Sequence, residues 1–190
     1  MPISCECFIN RNHKNQQANQ SYSLKFAFHF LIFRLYTFYM AVIIDYQDKY
    51  IKDFQRLNLE WLEKFNLVES HDIEILNHPL ENVINRGGFL FLLKEGDVII
   101  GTAGIFKISD AEYELIKMSV APEHRGKKYG DMLLEKCMAK AKEMKASKII
   151  LFSNSNLQTA IRLYEKFGFK HVAVLDAPFE TADIKMELYL

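Results

Sequence analysis

The chain has 190 residues, 49% hydrophobic and 25% charged, with 24 basic side chains balanced by 24 acidic ones. This is ordinary globular composition, long enough for a single domain with a substantial core, and it excludes collagen, coiled-coil rods and wholesale disorder. An even charge balance lacks the domain-wide basic excess that marks a nucleic-acid binder, so no nucleic-acid partner is expected.

The balance hides an asymmetry. Residues 1–39 carry Arg11, Lys14, Lys25 and Arg34 against Glu6 alone, a net +3 that leaves −3 for the remainder. The same segment holds nine aromatics and no Gly, Val, Asp or Trp. We read it as an extension outside the fold, with Met40 the effective start of a domain over residues 40–190. A spanning helix over 24–44 is disfavoured because Lys25, His29 and Arg34 interrupt it, whereas a span needs about 20 residues nearly free of charge. No small-x-small cleavage site follows, so a secretory signal is not expected either. Cys5 and Cys7 lack zinc-ligand spacing and only Cys137 lies in the rest of the chain. We therefore assign no disulfide framework and no metal, and expect a cytoplasmic protein without a membrane partner.

From Ala41 the pattern becomes regular. Residues 41–46 (AVIIDY) predict a short strand. Over 48–66, Tyr50, Ile51, Phe54, Leu57, Trp61, Leu62 and Phe65 recur at three- and four-residue spacings, an amphipathic helix with Trp61 in its core or in a pocket wall. A more acidic helix follows at 69–77, and Pro79 and Gly87-Gly88 punctuate the chain. Two β-rich runs flank the turn Lys94-Glu95-Gly96-Asp97. A third strand, AEYELIKMSV, alternates so that Tyr113, Leu115, Lys117 and Ser119 face one side and Glu112, Glu114, Ile116, Met118 and Val120 the other, completing an antiparallel meander. Then come a helix at 129–145, a strand at 148–153, a helix at 157–167, and strands at 171–175 and 183–190. The sum is a single mixed α+β domain. His71, His78, His124 and His171 form no metal-spaced pair, and Ser119, Ser153 and Cys137 have no local base partner, so a hydrolytic triad is not supported.

The chemistry concentrates between the third strand and the next helix, in VAPEHRGKKYGD (120–131). A strand-to-helix loop with Gly126 and Gly130 can aim successive backbone N–H groups at one point, at the positive end of the helix dipole. That is an anion site suited to a phosphate or pyrophosphate, and Arg125, Lys127 and Lys128 add charge to it. The spacing is neither a Walker loop nor the G-x-G-x-x-G of a dinucleotide fold.

Taken with NSNLQTAIRLYEKFGF (154–169), the order strand, V-x-P-x-x-R-G-x-x-x-G, helix, strand resembles the GNAT superfamily of N-acetyltransferases across about residues 41–190. Residues 1–39 have no counterpart in that pattern. The resemblance implies a strongly twisted, mostly antiparallel mixed sheet flanked by helices. It implies acetyl-CoA as co-substrate, with the backbone of Met118, Ser119 and Val120 pairing with the pantetheine arm. The amides of Arg125, Gly126, Lys127, Lys128, Tyr129, Gly130 and Asp131 would hold the pyrophosphate. Where the family usually has a glycine this chain has Lys128. If its φ stays below zero the loop is unstrained, and if a positive φ is required the residue is strained.

Asn154 or Asn156 would hydrogen-bond the cofactor arm. Tyr164 matches the family tyrosine near the thioester sulfur and is implied as general acid. Glu114 occupies the place of the strand glutamate that serves many of these enzymes as general base, directly or through water. Glu112 is the reserve base or a substrate-binding carboxylate. The acceptor, a small-molecule, amino-acid or peptide amine, would enter between residues 48–84 and this strand. There Trp61, Glu63, Glu69 and Asp72 would give an aromatic and acidic rim suited to a cation such as a polyamine. The competing reading is a non-catalytic acyl-CoA sensor or interaction module, which needs the loop but no acid or base. Edge strands near the C-terminus make a homodimer an expectation as well.

Overall fold

The computed structural model describes residues 40–190 apart from 176 and 179, so the expected extension at 1–39 lies outside the described residues. The most apolar runs form the middle of the sheet. Phe89–Glu95 (β2) and Val98–Lys107 (β3) bury both faces, as strands covered on two sides must. Gly96 turns between them with φ 58°. Outside them lie Val42–Asp45 (β1) and Glu112–Val120 (β4), followed by Lys148–Ser153 (β5), Ile184–Tyr189 (β7) and Lys170–Val172 (β6). The described strands make one sheet in the order β1-β2-β3-β4-β5-β7-β6, antiparallel except where β4 meets β5.

Helices cover both faces. Ile51–Lys64 (α1), Ser70–Asn77 (α2) and the short Pro79–Asn82 (α3) pack Phe54, Leu57, Leu62, Ile75 and Leu76 against Leu90, Leu92, Ile99 and Ile116. On the other face Tyr129–Glu143 (α4) and Gln158–Lys166 (α5) pack Leu133, Leu134, Ile161 and Tyr164 against Phe91, Leu93, Ile100, Tyr113 and Ile149. Successive residues of β2 thus serve opposite cores, the period-two rule for a strand. Cys137 is a free, fully buried thiol in the second core, and burial pushes its pKa up, so it is an inert packing residue.

One expectation is corrected. Strict alternation puts Lys117 and Ser119 with Tyr113 and Leu115, but the register runs Gly104 to Ile116 and then Thr102 to Ser119. Lys117 and Met118 therefore oppose Ala103 alone, a β-bulge in which Lys117 takes φ 50°. Beyond it the faces exchange. Met118 and Val120 join the core of Tyr113 and Leu115, while Lys117 and Ser119 turn towards α1 and α2. β6 also ends at Val172, earlier than the expected 175, because as an exposed edge strand it has no buried face to extend it.

Candidate active site

The bulge begins a cleft. β4 pairs with β5 only at Glu112, Tyr113 and Glu114, opposite Lys148, Ile149 and Ile150. β4 continues against β3 as far as Val120, and β5 continues against β7 as far as Ser153. Each strand keeps its outer neighbour while parting from the other. The wedge between them is a cavity of about 690 Å³ lined by residues 114–120 and 152–154, within the usual range of a ligand site.

Buried polar groups fix the bulge. Thr102 Oγ1 donates to Lys117 O at 2.8 Å and accepts from Asn58 Nδ2 at 3.1 Å, while Ser119 Oγ donates to Leu57 O at 2.8 Å. Asn58 and Thr102 are fully buried, where an unpaired polar group is costly. Lys117 Nζ makes a buried ion pair with Asp72 of α2. Asp72 also accepts the Glu69 N–H at 3.1 Å.

The loop after β4 is held at its start by local bonds. His124 N–H donates to Ala121 O and Arg125 N–H to Pro122 O, and Arg125 Nε donates to Val120 O at 3.1 Å. From Gly126 to Asp131 the backbone N–H groups have no acceptor among the described residues, and the N-terminus of α4 has no side-chain cap. Asp131, an acid in the first helical turn that could have capped it, is paired instead with Lys166. All but Lys127 of these six residues line the cavity, as do Arg125, Arg162 and Lys166, so the helix start and its cations have the chemistry of an anion site. Gly126 has φ 79°, with open space where a Cβ would lie. A Cβ at Gly130 would come within 3.1 Å of Leu163 Cδ2, so glycine is what lets α4 approach α5. Lys128 adopts φ 62°, the strained alternative posed by the sequence. Its backbone caps the helix in a conformation that glycine takes freely.

Glu114 lines the cavity, and burial pushes its carboxyl pKa up to about 7 despite the opposing charges of Lys117 and Lys185. Tyr164, on the last turns of α5, also lines it. Burial holds its phenol protonated well above neutrality, its ring packs on Phe169 with centroids 5.9 Å apart, and its hydroxyl has no hydrogen-bond partner among the described residues. Asn154 is engaged in the turn: its Nδ2 donates to Thr181 O at 2.6 Å and its Oδ1 accepts from Asn156 N–H at 3.0 Å. The Asn156 side chain has no partner among the described residues and lines the cavity.

Three placements differ from the sequence expectation. Glu112 is ion-paired with Lys148 at 3.2 Å and lies outside the cavity lining. Lys127 also lies outside the lining, with its ammonium 5.8 Å from the Tyr129 ring. The acidic rim is not available to a cation. Glu69 accepts from Thr181 N–H, Thr181 Oγ1 and Glu180 N–H, Asp72 is neutralised by Lys117, and Glu63 is exposed outside the lining. What faces the cavity from α1 and the segment after it is Trp61, Leu62, Phe65 and Leu67. Sequence reading also missed Lys117, Arg162 and Lys166 as cavity residues. A basic pair four apart on one helix signals only a solvated face until the loop is seen beside it.

Among the described residues a mixed sheet parts at its parallel pair, with an uncapped helix start at the mouth of the cleft and the half-buried carboxylate of Glu114 within it, an arrangement suited to an acyl-CoA-type transferase. The comparisons agree. Residues 51–169 match the model of the Acetyltransferase (GNAT) family, and the chain belongs to that family. An uncharacterized N-acetyltransferase of Schizosaccharomyces pombe is 27% identical over 124 residues, 63% of this chain and 76% of that protein. A GNAT-family acetyltransferase from Staphylococcus aureus Mu50 superposes with a TM-score of 0.73 at 24% identity, covering 79% of this chain and 99% of the other. The PaiA N-acetyltransferase of Thermoplasma acidophilum, solved in complex with coenzyme A, superposes at 0.65 with 18% identity over 80% of this chain and 99% of its own. Among the described residues no helix is long and apolar enough to cross a membrane.

Proposed function

We propose that this acetyltransferase carries the acetyl group of acetyl-CoA directly to a primary amine, with both substrates bound in the cleft together. The observation that carries the reading is the run of amides at residues 126–131 that have no acceptor among the described residues, all but that of Lys127 on residues lining the same cavity as Glu114 and Tyr164. These residues fit the co-substrate: the amides and the cations around them suit its diphosphate, the edge of β4 left by β5 suits its amide-bearing arm, and Asn156 is the free carboxamide for that arm.

Acetyl-CoA supplies an activated acetyl thioester. Glu114, with its pKa near 7, takes a proton from the acceptor nitrogen at physiological pH more effectively than a glutamate of ordinary pKa. Tyr164 gives a proton to the departing sulfur as the nitrogen–carbon bond forms and the carbon–sulfur bond breaks. Trp61, Leu62, Phe65 and Leu67 favour an amine carried on an apolar or aromatic body over a polycation.

The test is acceptor-dependent thiol release from acetyl-CoA by the full chain, across polyamines, apolar and polar amino acids, amino sugars and short peptides. Turnover with apolar or aromatic amines is the expected result. Tight coenzyme A binding with no turnover on any amine would replace this reading with that of a cofactor-sensing module.

A further inference from the structure

Glu95 lies at the end of β2, outside the cavity, yet its carboxylate reaches both flanks of the free-amide loop. Oε1 accepts from Tyr129 Oη at 2.7 Å, and Oε2 lies 3.2 Å from His124 Nδ1, an ion-pair distance without hydrogen-bond geometry. Tyr129 is the first residue of α4, and His124 ends the 3-10 turn that enters the loop. Between them residues 125–128 are exposed, no side chain caps the helix, and Lys128 is held at φ 62°. A strained residue persists only where its surroundings over-determine it. Here the surroundings are local backbone bonds before Gly126, the helix after Tyr129, and the one carboxylate that ties the two flanks together.

We propose that Glu95 is a positioning residue for the diphosphate loop: by holding Tyr129 and His124 at fixed separation it keeps the amides of residues 126–131 aimed at one point. The inference rests on the cofactor reading above. Its physical content is preorganisation. Without Glu95 the Tyr129 hydroxyl and the imidazole turn to water, Lys128 relaxes out of the left-handed region, and the first turn of α4 frays. Diphosphate binding must then re-form the loop and weakens accordingly. The chemistry at Glu114 and Tyr164 is not part of that linkage, so turnover at saturating acetyl-CoA is spared.

A purely electrostatic role has the opposite sign. Glu95 is an anion near an anion site, and if charge were its whole effect, its removal would tighten binding.

The test is calorimetric titration of coenzyme A into the full-length protein and its Glu95→Ala, Glu95→Gln and Tyr129→Phe variants. Thermal unfolding and steady-state kinetics with an accepted amine accompany it. Glu95→Ala should bind about tenfold more weakly, the weight of one charge-assisted hydrogen bond. Its KM for acetyl-CoA should rise in step while kcat stays within about twofold. Glu95→Gln, whose amide oxygen can still accept from Tyr129 Oη, should stay closer to wild type than Glu95→Ala. Tyr129→Phe, which removes one hydrogen bond and no charge, should fall between and carries the same test if the alanine variant is unstable. Binding by Glu95→Ala equal to or tighter than wild type, or a loss in kcat with KM unchanged, would overturn the proposal. Failure of the wild-type protein to bind coenzyme A would overturn the cofactor reading instead.

Discussion

The two ends of β4 are built from similar residues and serve different purposes. From Glu112 to Glu114 the strand is paired on both edges, Tyr113 is fully buried, and Glu112 is matched with Lys148. From Ile116 to Val120 it is paired only with β3, it carries a bulge, and its polar side chains are tied to α1 and α2. The first end is structure, with its backbone paired on both edges. The second leaves a strand edge and, beyond it, a loop and helix start whose amides at residues 126–131 have no acceptor among the described residues. Glu114 sits at the junction, half-buried and lining the cavity.

The largest expected effect separates Glu114 from Glu112, two residues apart on one strand. Glu114→Gln should lower kcat by about 10²- to 10⁴-fold, the usual weight of a positioned general base. It should also remove the limb of the kcat/KM profile that rises through pH 7 in the wild type. Glu112→Gln should leave that limb in place. The same shift makes a statement about stability. A carboxyl whose folded pKa is raised from 4.5 to about 7 favours folding while protonated, so its contribution is present below pH 4.5 and is lost as pH rises through 7. Glu114→Gln should therefore gain stability over wild type at pH 8, by up to about 3 kcal/mol, with the gain shrinking to nothing below about pH 4.

Next in size is Tyr164→Phe, expected to lower kcat by about 10²-fold with little change in KM, because the ring still packs on Phe169 and only the proton donor is lost. An unchanged kcat would remove Tyr164 from the chemistry. Smaller again is Thr102→Val, which leaves Lys117 O and Asn58 Nδ2 without their shared partner and should cost about 1–3 kcal/mol in denaturant unfolding. If the bulge shapes the cavity, KM for acetyl-CoA rises with it. The smallest is Lys128→Gly. Glycine takes φ 62° without strain, so the variant should be about 1 kcal/mol more stable, read as a higher Tm.

Much of this was legible in the sequence because the governing interactions are local. The runs of β2 and β3, the amphipathic spacing of α1 and the glycine-marked loop before α4 are set by near neighbours. The strand β5 was expected at 148–153 and occupies Lys148–Ser153. What escaped depends on partners far along the chain. No glycine announces the bulge at Lys117, which is fixed by Thr102 and Asn58 on two other elements. Asp72 reads as an acidic rim residue until Lys117 is placed against it, and Glu95 reads as turn punctuation until Tyr129 and His124 close on it. At Lys128 the sequence posed two backbone conformations, and the helix start selected the left-handed one.

The most direct measurement is amide chemical-shift mapping of the isotope-labelled full-length protein on titration with coenzyme A. The largest shifts should fall on the amides of residues 126–131, with a second set along β4 from Ile116 to Val120 and near Asn156, and little change at Glu112, Lys148 or the β6 edge. Shifts centred anywhere else, or none at saturating coenzyme A, would contradict the assignment of the cleft between β4 and β5 as the acyl-CoA site.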